Sequence, residues 1–353
     1  MNRGAFRTAL AFGGLLATAC GGVAPGDLPG TGSGGPPLGG WAAGDGGRGG
    51  GSGDAGASPD AIATGGDAST PKPPPSHTDA GTGGSPDAGA PCYSEAYDPN
   101  ASLSDLASGY SGNDWLSASL ETMHRRYPTG YFVLGAMQSD PQLPQFVDAS
   151  SWPALMTSMW SALNAETGGW DFDHASASSH PIVIVDTMTI TVPVLTTWAQ
   201  GEILQYITDT STQTWDQAEL QGQEGTYDGI FLFDDANSAC TGLAASTAVG
   251  DQLTSPIPAR DDVAAHLYYM ELYLRAGRTA HATEYAALKT DASWQKLVRY
   301  EWARGHFWDA QARPNANLQN SAAPIWAHID DPTNLDEIQL FTGQSPDVVA
   351  CHP

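Results

Sequence analysis

Between Gly21 and Pro91 the chain is Gly, Ala, Ser, Thr, Pro and Asp almost throughout, with Trp41 its one aromatic residue. Asp-Ala recurs at 54, 60, 67, 79 and 87, and Ser-Pro-Asp-Ala appears at 58 and again at 85. Such a composition cannot bury enough apolar surface to offset the entropy of ordering, so a disordered linker is expected here. A coil of this length has a root-mean-square reach of about 45 Å. Folding is thereby confined to Cys92–Pro353, which is long enough for one large hydrophobic core.

The whole chain carries a formal charge of -25. A surface this acidic repels phosphate backbones at long range, which speaks against a nucleic-acid partner. The distribution is uneven. From Tyr127 to Ala259 there is no Lys or Arg but there are fifteen acids, whereas Arg260 to Arg313 holds eight basic and seven acidic residues. A solvated acidic face explains the first stretch; clustered carboxylates that hold a divalent cation, calcium or zinc, are the sharper alternative.

The N-terminus has Arg3 and Arg7, then an apolar run from Thr8 to Leu16, then Ala17-Thr18-Ala19-Cys20. Positive charge, a short apolar run and small residues form a secretory signal, too short to span a membrane stably. Cys20 after small residues resembles the lipobox of bacterial lipoproteins, although that family favours Leu where Ala17 stands. The resemblance implies cleavage after residue 19, palmitate-type acylation of Cys20 and a membrane anchor at the outer membrane or cell surface. Ordinary signal cleavage after Ala19, giving a soluble secreted protein, is the other outcome.

Export exposes the remaining cysteines to oxidising conditions. Cys92 and Cys351 bracket the folded region and are the expected disulfide, with Cys240 left as a buried thiol. The expected fold class is α+β: a single globular domain over 92–353 with a helical C-terminal third. Asn113 or Asp114 and Ser150 or Ser151 are placed to cap helices, the second with Pro153 in its first turn. Tyr131–Met137, Ile182–Val192 and Gly229–Phe233 read as strands, and Pro193 as the opening of a helix through Tyr206. Val263, Leu267, Met270 and Leu274 paint one helical stripe, broken at Gly277 and resumed from Thr279 to Leu288. Asp291 is placed to cap a further helix that ends before Pro314.

The densest set of metal-ligand types is Trp170-Asp171-Phe172-Asp173-His174 with His180, which reads as a loop. Asp171 and Asp173 begin like an EF-hand, but the Gly and closing Glu of that loop are missing. Asp262 and His266 lie one helical turn apart, as do His306 and Asp309, so each pair is half of a metal site or an acid–base couple, or a surface hydrogen bond. The metal candidates are therefore Asp171, Asp173, His174, His180, His266 and His306. No His-Glu-x-x-His, Gly-x-Ser-x-Gly or phosphate-binding Gly-rich pattern occurs in the folded region. Trp160, Trp198, Trp294 and Trp302 have core-like spacing, whereas Trp170, Trp215, Trp308 and Trp326 stand beside Asp or His, as in a sugar-stacking surface, with Trp170, Trp308 and Trp326 the stacking candidates. The acid pairs Asp234–Asp235 and Asp330–Asp331 offer carboxylates for hydrolysis only if the fold spaces them across a cleft.

These features point to an extracytoplasmic binding domain displayed on a lipid anchor, with a polysaccharide or peptide as ligand. The alternative is a metal-assisted or carboxylate-based hydrolase acting on extracellular polymer.

Overall fold

The computed structural model describes residues 92–318 and 322–353, which fall in one compact unit. The expected export signal, Cys20 and the linker lie outside the described residues. Among those described, no helix is long and apolar enough to cross a membrane.

In chain order the helices are α1 (Ser104–Gly109), α2 (Trp115–Arg126), α3 (Pro128–Met137) and α4 (Trp152–Asp173). A hairpin follows, β1 (Ser179–Val185) and β2 (Met188–Pro193). Then come α5 (Gly229–Ala248), α6 (Ala259–Ala280), α7 (Ala282–Thr290), α8 (Ala292–Ala312), α9 (Ala322–Ile329), α10 (Pro332–Thr342) and α11 (Pro346–Cys351). The class is α+β with a helical C-terminal part.

Helix α5 runs through the centre, packed against α4, α6 and α8. Its sequence explains the position. From Ala236 to Ala248 it is Ala, Gly, Ser, Thr, Cys, Asn and one Leu, all buried, and small side chains let neighbouring helices approach closely. At Gly242 a Cβ would meet the Trp160 ring of α4 at 2.8 Å. Capping follows local chemistry: Ser151 accepts from the Ala154 amide, Asp291 from Ser293 and Trp294, and Asp331 from Thr333.

The hairpin is antiparallel, with Ile182 opposite Ile190 and His180 opposite Val192, and an irregularity between Val183 and Val185. The single strand expected over Ile182–Val192 is thus two, turned back at Asp186 and Thr187. Two other expected strands are helical. Tyr131–Met137 belongs to α3, because Pro128 stands in its first turn and opens it directly after α2 ends at Arg126. Gly229–Phe233 is the first turn of α5, capped by Asp228. Short apolar runs do not distinguish a buried strand from a buried helix. After Pro193 the chain is extended, and only Gln200–Tyr206 forms a short 3-10 helix. The break at Gly277 is also corrected: α6 runs on to Ala280, and Gly277 is there because a Cβ would strike the Trp198 ring.

Cys92 and Cys351 are joined, and the Tyr93 amide donates to the Cys351 carbonyl at 2.7 Å, so the two ends of the folded unit are fastened together. Next to them Glu95 is buried. It accepts from Tyr127 (2.7 Å), Trp308 (2.7 Å) and both Nε and Nη2 of Arg304 (3.0 and 3.1 Å). Cys240 is a buried free thiol, its pKa pushed up to about 12 by burial.

Candidate metal centre

Two polar clusters occupy the interior where α4, α5, α6 and α8 meet. The first gathers around Asp171, at the end of α4. Its Oδ1 accepts from the Val183 amide of β1 at 2.8 Å and its Oδ2 from Asn237 Nδ2 at 3.3 Å. Asp234 of α5 stands beside Asp171, with neither of its oxygens hydrogen-bonded. Two adjacent buried carboxylates repel each other, and a proton on one of them relieves that repulsion. Burial pushes both groups well above the usual carboxylate range, and their proximity pushes Asp171 further. His180 Nε2 lies 3.7 Å from Asp234 Oδ1 without a hydrogen bond, and burial lowers its pKa. Glu301 of α8, also fully buried, is raised by burial and then by Asp234. All four residues are closed off from solvent.

The second cluster reaches the surface. Between β2 and α5 the chain forms an irregular strap over 200–228, built from the short 3-10 helix, a turn at Gln213–Trp215, a π-helical turn at Asp216–Leu220 and a 3-10 turn at Glu224–Thr226. The π-turn places Glu219 over the first turns of α6. Oxygen of Glu219, oxygen of Asp262 and nitrogen of His266 all lie within 4.8 Å of one another. Asp262 is held from two sides: Trp215 Nε1 donates to Oδ1 at 2.9 Å and Asn164 Nδ2 to Oδ2 at 3.0 Å. His266 is held through Nδ1, which lies 2.8 Å from the Asp262 backbone carbonyl. A carbonyl only accepts, so Nδ1 carries the proton and Nε2 is left facing Glu219.

That second nitrogen decides the character of the site. Nε2 lies 3.1 Å from Glu219 Oε2 yet makes no well-directed hydrogen bond, and it is buried. A lone pair facing a carboxylate at that distance is repulsive, so in the metal-free protein a proton stands between them. Burial opposes protonation of His266, but Glu219, Asp262 and Asp235 outweigh it and raise the pKa to about 10. Asp262 itself is raised by burial, with His266 opposing, to about 6. Asp235 of α5 faces the same cluster, raised by burial and then by Glu219. Arg260, two residues before Asp262, is engaged with Asp309 at 2.9 and 2.7 Å. Glu219 and Asp235 are half-buried while Asp262 and His266 are buried, so the cluster opens on the Glu219 side.

Zinc takes O and N ligands at about 2.0–2.2 Å, which places donor atoms roughly 3.4 Å apart in a tetrahedron. Small side-chain shifts bring the three donors to that spacing. The Nδ1–carbonyl bond and the Trp215 and Asn164 donors are the outer hydrogen bonds that orient ligands in metal sites.

The six sequence candidates do not converge. Asp171 and His180 meet at Asp234, in the closed cluster. Asp173 and His174 end α4 on the surface, where His174 stacks on Trp170 at 4.1 Å between centroids. The segment is thus a helix end, not the expected loop. His266 belongs to the open cluster. His306 lies apart, between Trp302 (4.6 Å) and Trp326 (5.3 Å), its pKa lowered by burial. Among the aromatic candidates Trp308 is 0% exposed and donates to Glu95, so it is a core residue and offers no face to a sugar. Trp170 and Trp326 are half-buried. Glu219 carried no sequence signal, because it lies in a segment without helical or strand periodicity and is far in the chain from its partners.

No family model, curated protein or solved structure matches this chain.

Proposed function

We propose that the chain is an exported, lipid-anchored protein whose folded domain binds one divalent metal ion at Glu219, Asp262 and His266. The observation that carries this is the convergence of Glu219, Asp262 and His266 donor atoms within 4.8 Å of one another, with His266 Nδ1 tied to a backbone carbonyl so that Nε2 faces Glu219. Two carboxylates and one imidazole suit a zinc-class ion better than calcium, which prefers six to eight oxygens. Acylation at Cys20 supplies the membrane partner, and the linker holds the domain away from the bilayer. With three protein ligands, a fourth position is left for water or for a group on an extracellular polymer, polysaccharide or peptide, so the same centre serves either retention or metal-assisted hydrolysis.

Titration of the purified 92–353 chain with zinc by calorimetry tests the metal reading. One equivalent is expected to bind, and His266→Ala is expected to weaken binding at least tenfold. Equal zinc affinity in wild type and His266→Ala would rule the centre out. Polymer cleavage by the zinc-loaded but not the metal-free domain separates hydrolysis from retention.

A further inference from the structure

We infer that the metal ion acts as a clasp: it fastens the strap of residues 200–228 to helix α6, so that strap closure depends on metal. This rests on the metal reading above and names its conformational consequence.

The three ligands divide unequally between elements. Asp262 and His266 stand one turn apart on a long buried helix, whereas Glu219 stands on a π-helical turn of the strap. π-turns recur at functional sites because they re-aim a side chain at a cost in backbone regularity. The strap is braced against itself. The Gln200 side chain donates to the carbonyls of Glu219 (2.7 Å) and Glu224 (3.1 Å), and the Gln200 amide donates to Tyr227 (2.8 Å). Gly201 fits because a Cβ there would meet the carbonyls of Leu220 and Gly225 at 2.7 and 2.8 Å. These contacts let the segment respond as a unit.

Its seat on the bundle is mixed, with Leu204, Tyr206, Ile207 and Trp215 packed against the core beside polar contacts. Along one stripe of α6, Asp262 receives Trp215 (2.9 Å), His266 faces Glu219 (3.1 Å), and the Tyr269 hydroxyl donates to Asp216 at 2.6 Å. Ile203 and Leu220 are the strap's buried aliphatic anchors. Docking brings Glu219 and Glu224 of the strap against Asp235 of α5 and Asp262 of α6, with His266 opposite them. The strap itself contains no Lys or Arg. Without metal, only the His266 imidazolium offsets this group of carboxyls; a divalent ion between Glu219, Asp262 and His266 replaces its Nε2 proton with twice the charge and strengthens the attraction.

Hydrogen–deuterium exchange of the 92–353 chain with and without saturating zinc chloride tests the clasp, with calorimetry run in parallel. Zinc is expected to slow exchange in peptides covering 213–228 at least tenfold, while the hairpin at 179–193 changes little. In Glu219→Gln, zinc held at saturation by Asp262 and His266 is expected to leave 213–228 unprotected. Zinc binding with unchanged exchange over 213–228, or with equal slowing across the hairpin, overturns the clasp and leaves the metal reading standing. Failure of zinc to bind overturns both.

Discussion

At the residue scale the interior departs most from an ordinary core at its carboxyls. Asp171, Glu271 and Glu301 are fully buried, and burial pushes each well above the usual carboxylate range. In the unfolded chain the same groups ionise near pH 4. The native state therefore holds protons that the unfolded state has lost, and stability falls as pH rises toward the folded values. His180 and His306 act oppositely, since burial lowers their values, but only below about pH 6.5. The window free of them lies above neutrality. The urea midpoint of the metal-free domain is expected to be lower at pH 9 than at pH 7; a higher one would contradict protonated interior carboxyls.

Glu95 and Arg304 form a fully buried ion pair whose donors and acceptors are engaged by Tyr127, Trp308 and Asn237. Removing one partner strands the other charge. Glu95→Ala is expected to cost about 3–5 kcal/mol in denaturant unfolding. A loss under 1 kcal/mol would mean that the arginine finds water or another carboxylate.

At the scale of elements, what the sequence shows best is where helices begin. Ser151 with Pro153 and Asp291 before a run of good helix formers are local devices, and both act as expected. Replacing Asp291 with Ala removes the acceptor for two amides and is expected to cost about 1 kcal/mol, read from thermal unfolding. What the sequence shows poorly is the type of short apolar segments. Residues 131–137 and 229–233 are rich in Phe, Leu, Val and Ile, yet both are helical. Their buried positions against α4 and α5, and against α4 and α8, outweigh intrinsic strand preference. Of the candidate site, the Asp262–His266 pair was legible because i, i+4 spacing is local. Glu219 and Asp235 were not legible as its companions, since they arrive from two other segments.

At the scale of the whole molecule the Cys92–Cys351 bond closes a loop of 259 residues. In the chain-entropy account such a cross-link stabilises by about 5 kcal/mol. Cys92→Ser with Cys351→Ser is expected to lower the guanidinium midpoint markedly without changing the metal stoichiometry, because the centre is built on the strap and α6. Loss of zinc binding in a still-folded double variant would tie the centre to the closure of the ends.

Composition alone sets the division between a segment that cannot bury a core and one that can, since burial needs apolar side chains whatever the fold. Local sequence likewise determines helix caps and the i, i+4 pairing of Asp262 with His266, because neighbours within a turn meet regardless of the rest. The third ligand, the closed Asp171–Asp234 pair and the burial of Trp308 were decided by packing, which brings together residues tens to hundreds of positions apart. No periodicity records such meetings, because they depend on how α4, α5, α6 and α8 cross and not on any one of them.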